Sequence, residues 1–212
     1  YVESVWWLLR QLYDKGLLER GHKVLPYCPR CGTALSSHEL ALGYGTAKDP
    51  SVYVLYPLVD GPDRFLMIWT TTPWTLAANF AVAVHPDLPY VELRKKSQAP
   101  DGRSPDWTIV LAEARALAVL GEGWSERWEE VARFIGSELA GQRYRRPLDW
   151  VDFPTGSAHE VIIAEEFVTA EDGTGVVHMS PAFGADDYAA GRRHNLAFVQ
   201  PVDARGCFPE DM

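Results

Sequence analysis

Three cysteines in 212 residues cannot build a disulfide framework, so the fold must rest on its core alone. Long apolar runs are missing too. Nothing approaches the roughly 20 residues that cross a bilayer, and no basic-then-apolar signal segment opens the chain. Basic residues are outnumbered, with 20 Lys and Arg against 29 Asp and Glu and a net charge of −9. That balance excludes a protein gripping long stretches of nucleic acid through phosphates, but not contact with one nucleotide end. A cytoplasmic, monomeric protein without membrane contact is expected. The first residue is Tyr1 rather than Met and a helical pattern begins at once, as expected of a segment of a longer protein.

Several reaction centres are also missing. No His-x-x-x-His pair or facial triad offers a catalytic metal site. Ser180 precedes Pro181 and lacks the glycine-flanked elbow of a nucleophile. The Gly173-Thr174-Gly175 triplet enters a strand rather than a helix, so it cannot cradle a phosphate as a Gly-rich loop does.

What is present is ordinary globular texture, 47% hydrophobic and 23% charged, enough for a sizeable core. Val2, Val5, Trp6, Leu9, Leu12 and Tyr13 share one face of a helix, with Gly16 as its stop. From Ser51 the pattern turns to strands: 51–58, 64–70, 79–85, 90–96, 107–113, 159–165 and 174–180 are each rich in β-branched or aromatic residues. Turn formers separate them at Asp60–Asp63, Ala99–Gly102 and Glu171–Gly173, the last suggesting a tight hairpin into the strand of His178. Helical patches fall at 113–120, 125–135 and 184–195. About seven strands, few helices and no βαβ rhythm predict a mainly β fold, a closed or nearly closed barrel with peripheral helices. The chain divides into a helical stem at 1–45, the barrel at 46–200 and a return strand at 201–212.

Three stretches carry chemistry. Cys28 and Cys31, in "CPRCG", have the spacing of one zinc knuckle, half of a tetrahedral site whose partner ligands lie outside the chain. His22 and His38 are the nearby alternatives, and Cys207 stands alone. "IWTTTPWTL" at 68–76 places Thr70, Thr71 and Thr72 before Pro73, which fixes φ and stiffens the peptide, between Trp69 and Trp74. "GTGVVHMSPAFGADDY" at 173–188 adds His178, Asp186 and Asp187. Hydroxyls, one imidazole and carboxylates without a covalent nucleophile suit water attack on an already labile bond, with orientation supplying most of the rate.

The threonine and His178–Asp187 peptides resemble the two signature peptides of the editing domain of isoleucyl-tRNA synthetases, and "VLPYCPRCGTALSSHEL" resembles the zinc knuckle on the stem of that domain. Valyl and leucyl relatives typically carry arginine where this chain has Thr72, and the valyl family has different residues at Phe183-Gly184. Ala77 departs from the family, which usually has proline there.

The resemblance implies proofreading hydrolysis of valyl-tRNA(Ile). One methylene is worth only about 1–3 kcal/mol in an apolar pocket, a limit for which the isoleucine enzyme is itself the standard illustration, so a second site must remove the smaller error. Thr70, Thr71 and Thr72 are then expected to bind the terminal adenosine, the ester and the attacking water. Trp69 and Trp74 would wall the pocket, with Thr75, His178, Phe183 and Gly184 binding substrate. Asp187 would hold the free α-ammonium. Asp186 is expected to be a cap or surface acid, and a general-base role for His178 is not required. The resemblance implies no cofactor for editing; ATP would belong to the parent enzyme's synthetic site and structural zinc to the full-length parent. Expected partners are the 3′ end of misacylated tRNA(Ile) and the rest of the synthetase. Two other readings stand beside this one: a valyl-type domain clearing threonyl-tRNA, and a non-catalytic zinc-ribbon RNA-binding module.

Overall fold

The computed structural model of the chain describes residues 1–96, 106–154 and 159–210. The Ala99–Gly102 turn and residues 211–212 lie outside them. Helix α1 (Val2–Asp14) forms where the three- and four-residue spacing predicts it. Gly16, at φ +68°, ends it: the Gly16 N–H reaches Tyr13 O and the Leu17 N–H reaches Leu12 O, satisfying two terminal carbonyls. None of its residues is buried. Strands β1 (Tyr27–Cys28) and β2 (Thr33–Ala34) form the cysteine hairpin, and α2 (Ser37–Ala41) follows, capped reciprocally by Ser36 and Glu39.

All seven strands expected from the sequence form. They are β3 (Val52–Leu58), β4 (Gly61–Thr70), β5 (Ala81–Val84), β6 (Pro89–Lys95), β7 (Thr108–Ala112), and, beyond a missed strand, β9 (Glu160–Ile163) and β10 (Val176–Met179). The missed strand is β8 (Trp128–Ile135). Its sequence was expected to be helical, but only α4 (Trp124–Arg127) is. The open edge of β6 supplies a full antiparallel ladder for β8, with Trp128, Ala132 and Phe134 turned toward the protein. Tertiary pairing overrides the local helical pattern there. Helices α3 (Ala116–Leu120) and α5 (Ala185–Arg193) lie where predicted.

The strands build a five-stranded sheet, β3-β4-β7-β6-β8, and a three-stranded sheet, β10-β5-β9. Two pairs, β4 with β7 and β5 with β9, are parallel, which the sequence pattern did not indicate. The expected barrel does not close by a continuous ladder among the described residues. Both edges of β4 are taken by β3 and β7, and both edges of β5 by β9 and β10. The segment from Gly141 to Arg145 spans the gap, pairing Tyr144 with Leu58 and Arg143 with Glu160. Nor do β9 and β10 form a hairpin, since each pairs with β5. Residues 201–210 form turns rather than a return strand.

Alternation along each strand sorts the core into layers. Leu66, Ile68, Val82, Val84, Val110 and Val176 meet in the main core, to which both sheets contribute. On the outer face of the small sheet, Ala81, Ala83 and Ile162 pack against Ala190 of α5. On the outer face of the large one, Ile109 and Leu111 pack toward Val119, Leu120 and Trp124.

The loop entering β10 is seated against β7 and β6. The Ala112 N–H donates to Thr174 O (2.8 Å), and the Tyr90 hydroxyl donates to Gly175 O (2.6 Å). Gly175 sits at φ +72°, and a Cβ there would lie 2.4 Å from the Ala112 Cβ. The Gly175→Ala variant should therefore lose about 2–4 kcal/mol, combining backbone strain with overpacking. Urea unfolding at unchanged m-value measures this; a loss under about 0.5 kcal/mol would mean the loop is not held as described.

Candidate active site

The threonine peptide begins where β4 ends. Pro73 opens a 3-10 turn over Pro73–Ala78, at the position where its missing N–H costs nothing. The Thr72 carbonyl accepts from the Thr75 N–H (3.0 Å) and the Thr75 hydroxyl (2.8 Å). Thr70 Oγ1 accepts from the Thr72 N–H (3.0 Å) and lies 3.2 Å from Thr72 Oγ1. The hydroxyls of Thr70 and Thr75 are therefore engaged locally and buried, while Thr71 and Thr72 are exposed.

The β10–β5 register places His178 opposite Val82, close to the end of that turn. His178 Nε2 lies 2.8 Å from Thr75 Oγ1, and Nδ1 lies 2.8 Å from Asn79 Nδ2. The buried Asn79 also donates from Nδ2 to Ala81 O (3.0 Å) and accepts at Oδ1 from the Tyr144 hydroxyl (2.6 Å). These partners fix every proton. Turning the Asn79 amide over would set its oxygen against the Ala81 carbonyl, so Nδ2 must be the donor to His178. Nδ1 is then the unprotonated nitrogen, Nε2 carries the hydrogen and gives it to Thr75, and Thr75 gives its own to Thr72 O. Burial pushes the imidazole down to about 4, and the Tyr144 phenol well above its ordinary value. With both nitrogens engaged, His178 lines the site as a neutral donor and has no free lone pair for a general base.

Asp187 is the third residue of α5. Its Oδ1 accepts from the Ser180 N–H (3.0 Å). Burial raises the pKa of Asp187 above its ordinary value, and that hydrogen bond opposes the rise. A Cβ at Gly184 would lie 1.9 Å from Asp187 Oδ2, so only glycine leaves room for the carboxylate. Asp186 is exposed, as expected.

Trp69, Thr70, Thr71, Thr72, Thr75, His178, Phe183 and Asp187 all line one cavity of about 320 Å³. Two residues expected at the site, Gly184 and Trp74, do not. Gly184 acts from behind, by making space for Asp187. Trp74 is exposed and turned to a second cavity of about 600 Å³, beside Tyr27, Pro29 and Phe208, because the 3-10 turn carries it away from Thr72 and Thr75. Phe167, Thr169, Asp172 and Ser180, with the 173–177 stretch, also line the first cavity and were not foreseen. Ser180 Oγ is buried and without a partner among the described residues.

The two knuckle cysteines sit on the β1–β2 turn, where Gly32 takes φ +68°. The Cys31 N–H points at Cys28 Sγ (3.4 Å), lowering the Cys28 thiol, while the contact with Cys28 raises that of Cys31. His22 instead stacks on Phe198, and the Cys207 N–H bonds to Asp203. Among the described residues, no group of three or more His, Cys, Asp or Glu is placed to hold a metal. The thiol pair suits one half of a tetrahedral zinc shell.

The chain that carries this mainly sheet fold, with its cavity lined by hydroxyls and by the carboxylates of Asp172 and Asp187, is related to the tRNA synthetases. Residues 1–170 match the family described as tRNA synthetases class I (I, L, M and V), and the chain belongs to it. It is 49% identical over its whole length to the isoleucine–tRNA ligase of Streptomyces coelicolor, and 44% identical over 97% of its length to that of Thermus thermophilus. It spans 19% of the length of each. In fold it is similar to a solved structure titled GlLeuRS-CP1, with a TM-score of 0.51 and 20% identity over 68% of this chain and 59% of that one. No described helix is long and apolar enough to cross a membrane.

The His178 assignment has a measurable sign. A histidine depressed to about 4 in the fold, against 6.5 when unfolded, binds fewer protons in the fold throughout that window. Its contribution to stability is present above pH 6.5 and is lost as pH falls toward 4, by about 2–3 kcal/mol. The His178→Gln variant should lack that part of the acid slope. Imidazole ¹⁵N shifts should report the neutral Nε2–H form at pH 6; an imidazolium or an Nδ1–H signal there would refute the assignment.

Proposed function

We propose that this cavity hydrolyses the ester of a misacylated tRNA, and specifically that it clears valyl-tRNA(Ile). The observation that carries the reading is the convergence on one cavity of the Asp187 carboxylate, the exposed Thr71–Thr72 edge and the closed His178–Thr75 pair. Asp187 receives the α-ammonium of the aminoacyl group as a charge-assisted partner. Thr71 and Thr72 hold the terminal adenosine and ester by their hydroxyls, water attacks the carbonyl, and its proton passes to the ribose oxygen as the acyl C–O bond breaks. The Thr71 and Thr72 hydroxyls are the donors for the negative charge developing on the carbonyl oxygen.

Thr75 and His178 form the side-chain wall. Their hydrogens are already committed, to Thr72 O and to each other, so the wall has no spare donor for a threonine hydroxyl. This suits an apolar acyl side chain such as valine, with isoleucine excluded by size. A domain acting only as an RNA-binding ribbon would have no use for a carboxylate placed over Gly184 in this cavity. The Cys28–Cys31 pair holds half of a structural zinc site, completed by ligands elsewhere in the synthetase.

Incubation with valyl-, threonyl- and isoleucyl-tRNA side by side tests the substrate. Valyl ester should disappear fastest and isoleucyl ester should persist; equal cleavage of valyl and isoleucyl esters would sink the reading. The Asp187→Ala variant should fold normally yet lose about two to three decades in rate, the worth of a charge-assisted bond in a dry site. A rate within about threefold of wild type removes Asp187 from the reaction.

Size exclusion is tested by Thr75→Ala, which should begin to cleave isoleucyl-tRNA, because overpacking by one methylene costs about 1–3 kcal/mol and truncation relieves it. Unchanged discrimination would place the wall elsewhere. A chelator should strip any zinc from the cysteine knuckle and leave deacylation intact, whereas loss of hydrolysis on chelation would assign the metal a role at the ester.

A further inference from the structure

The loop before β10 forms one rim of the cavity through Thr169, Asp172 and Gly173, and it is held by a residue that touches none of the acyl-binding groups. Arg115 closes the 3-10 turn that follows β7. Its Nε donates to Gly173 O (2.9 Å), and its Nη1 donates to Glu171 O (2.7 Å) and lies 3.5 Å from Ala170 O. A planar guanidinium presents its donors in a fixed fork that spans these carbonyls, whereas a lysine ammonium offers its three donors from one point on a flexible stem. The rim in turn bears on the threonine peptide, since a Cβ at Gly173 would lie 3.3 Å from the Trp69 ring. The next two residues, Thr174 and Gly175, are held independently by Ala112 and Tyr90.

We propose that Arg115 is a positioning residue for the site: by clamping the carbonyls of Ala170, Glu171 and Gly173 it fixes the rim against which the aminoacyl group is held. The inference rests on the deacylation reading for what is held there, but the clamp itself does not. Loss of Arg115 frees residues 170–173 and leaves 174–176 in place. Productive binding therefore suffers while the groups that act on the ester, at Asp187 and the threonine peptide, remain.

The test compares Arg115→Ala and Arg115→Lys with the unaltered chain, by amide hydrogen exchange without substrate and by steady-state deacylation of valyl-tRNA. In Arg115→Ala, exchange of the Glu171 N–H, bonded to Thr169 Oγ1, should rise about tenfold or more while the Ala112 and Val176 N–H groups, bonded to Thr174, stay protected. KM should rise about tenfold with kcat within about threefold. Arg115→Lys should restore only part of either effect, and free guanidinium ion should lower the KM of Arg115→Ala. Unchanged exchange at Glu171 overturns the clamp. Faster exchange through the whole sheet with a lower Tm makes Arg115 merely structural and overturns it too. A fall in kcat at constant KM, or full rescue by lysine, also refutes it. If the unaltered chain cleaves no valyl-tRNA, the deacylation reading fails on its own, and local exchange alone decides whether Arg115 holds the rim.

Discussion

The hydrogen bond from Asn79 to His178 Nδ1 sets the polarity of everything around it. Asn79 is buried between the two sheets, where an unpaired amide would cost about 1–3 kcal/mol. Its three described partners, Tyr144, Ala81 and His178, satisfy it in one orientation only. From that orientation follow the tautomer of the imidazole, the direction of the Thr75 hydroxyl and the double load on the Thr72 carbonyl. A polar chain that is fully satisfied behaves as a rigid part of the core, so the cavity has a wall of fixed shape although it is lined by polar atoms.

Around that chain the two sheets divide the work. The small sheet brings β10 beside β5, and so brings the histidine to the threonine turn. The large sheet supplies Tyr90, Ala112 and Arg115, which hold successive carbonyls of the loop leading into β10. The stretch between residues 95 and 150 has no distinctive motif. Yet it provides the tyrosine that orients Asn79 and the arginine under the rim. Its function is expressed through contacts with the motif-bearing segments rather than through chemistry of its own.

The sequence made the candidate site residues legible and left their supports hidden, for a physical reason. Threonines before a proline and an acid following a glycine are local patterns whose chemistry is plain from type and spacing. Asn79 reads as a strand-end amide until Tyr144, 65 positions away, and His178, 99 positions away, arrive beside it. The fold shows the same division. Each apolar strand was visible from its own residues, whereas β8 was hidden because Glu129, Glu130 and Arg133 are spaced like a helix surface until β6 offers an edge. Barrel closure was expected from strand number, but hydrogen-bonding partners along each edge decide it, and no local pattern encodes them. Trp74 was misplaced for a related reason: one turn of 3-10 helix decides whether an indole faces the cavity or leaves it.

The position of β5 has a consequence for how the protein is made. Its four residues are buried on both faces, and both of its hydrogen-bonding edges belong to strands that come much later in the chain. Thr75 and His178 are separated by 103 residues. At about 5–20 residues per second, a ribosome delivers the histidine roughly 5–20 s after the threonine peptide. During that interval Ala81–Val84 is an apolar segment without either neighbour, so the nascent chain must shield it from other chains before the cavity exists at all.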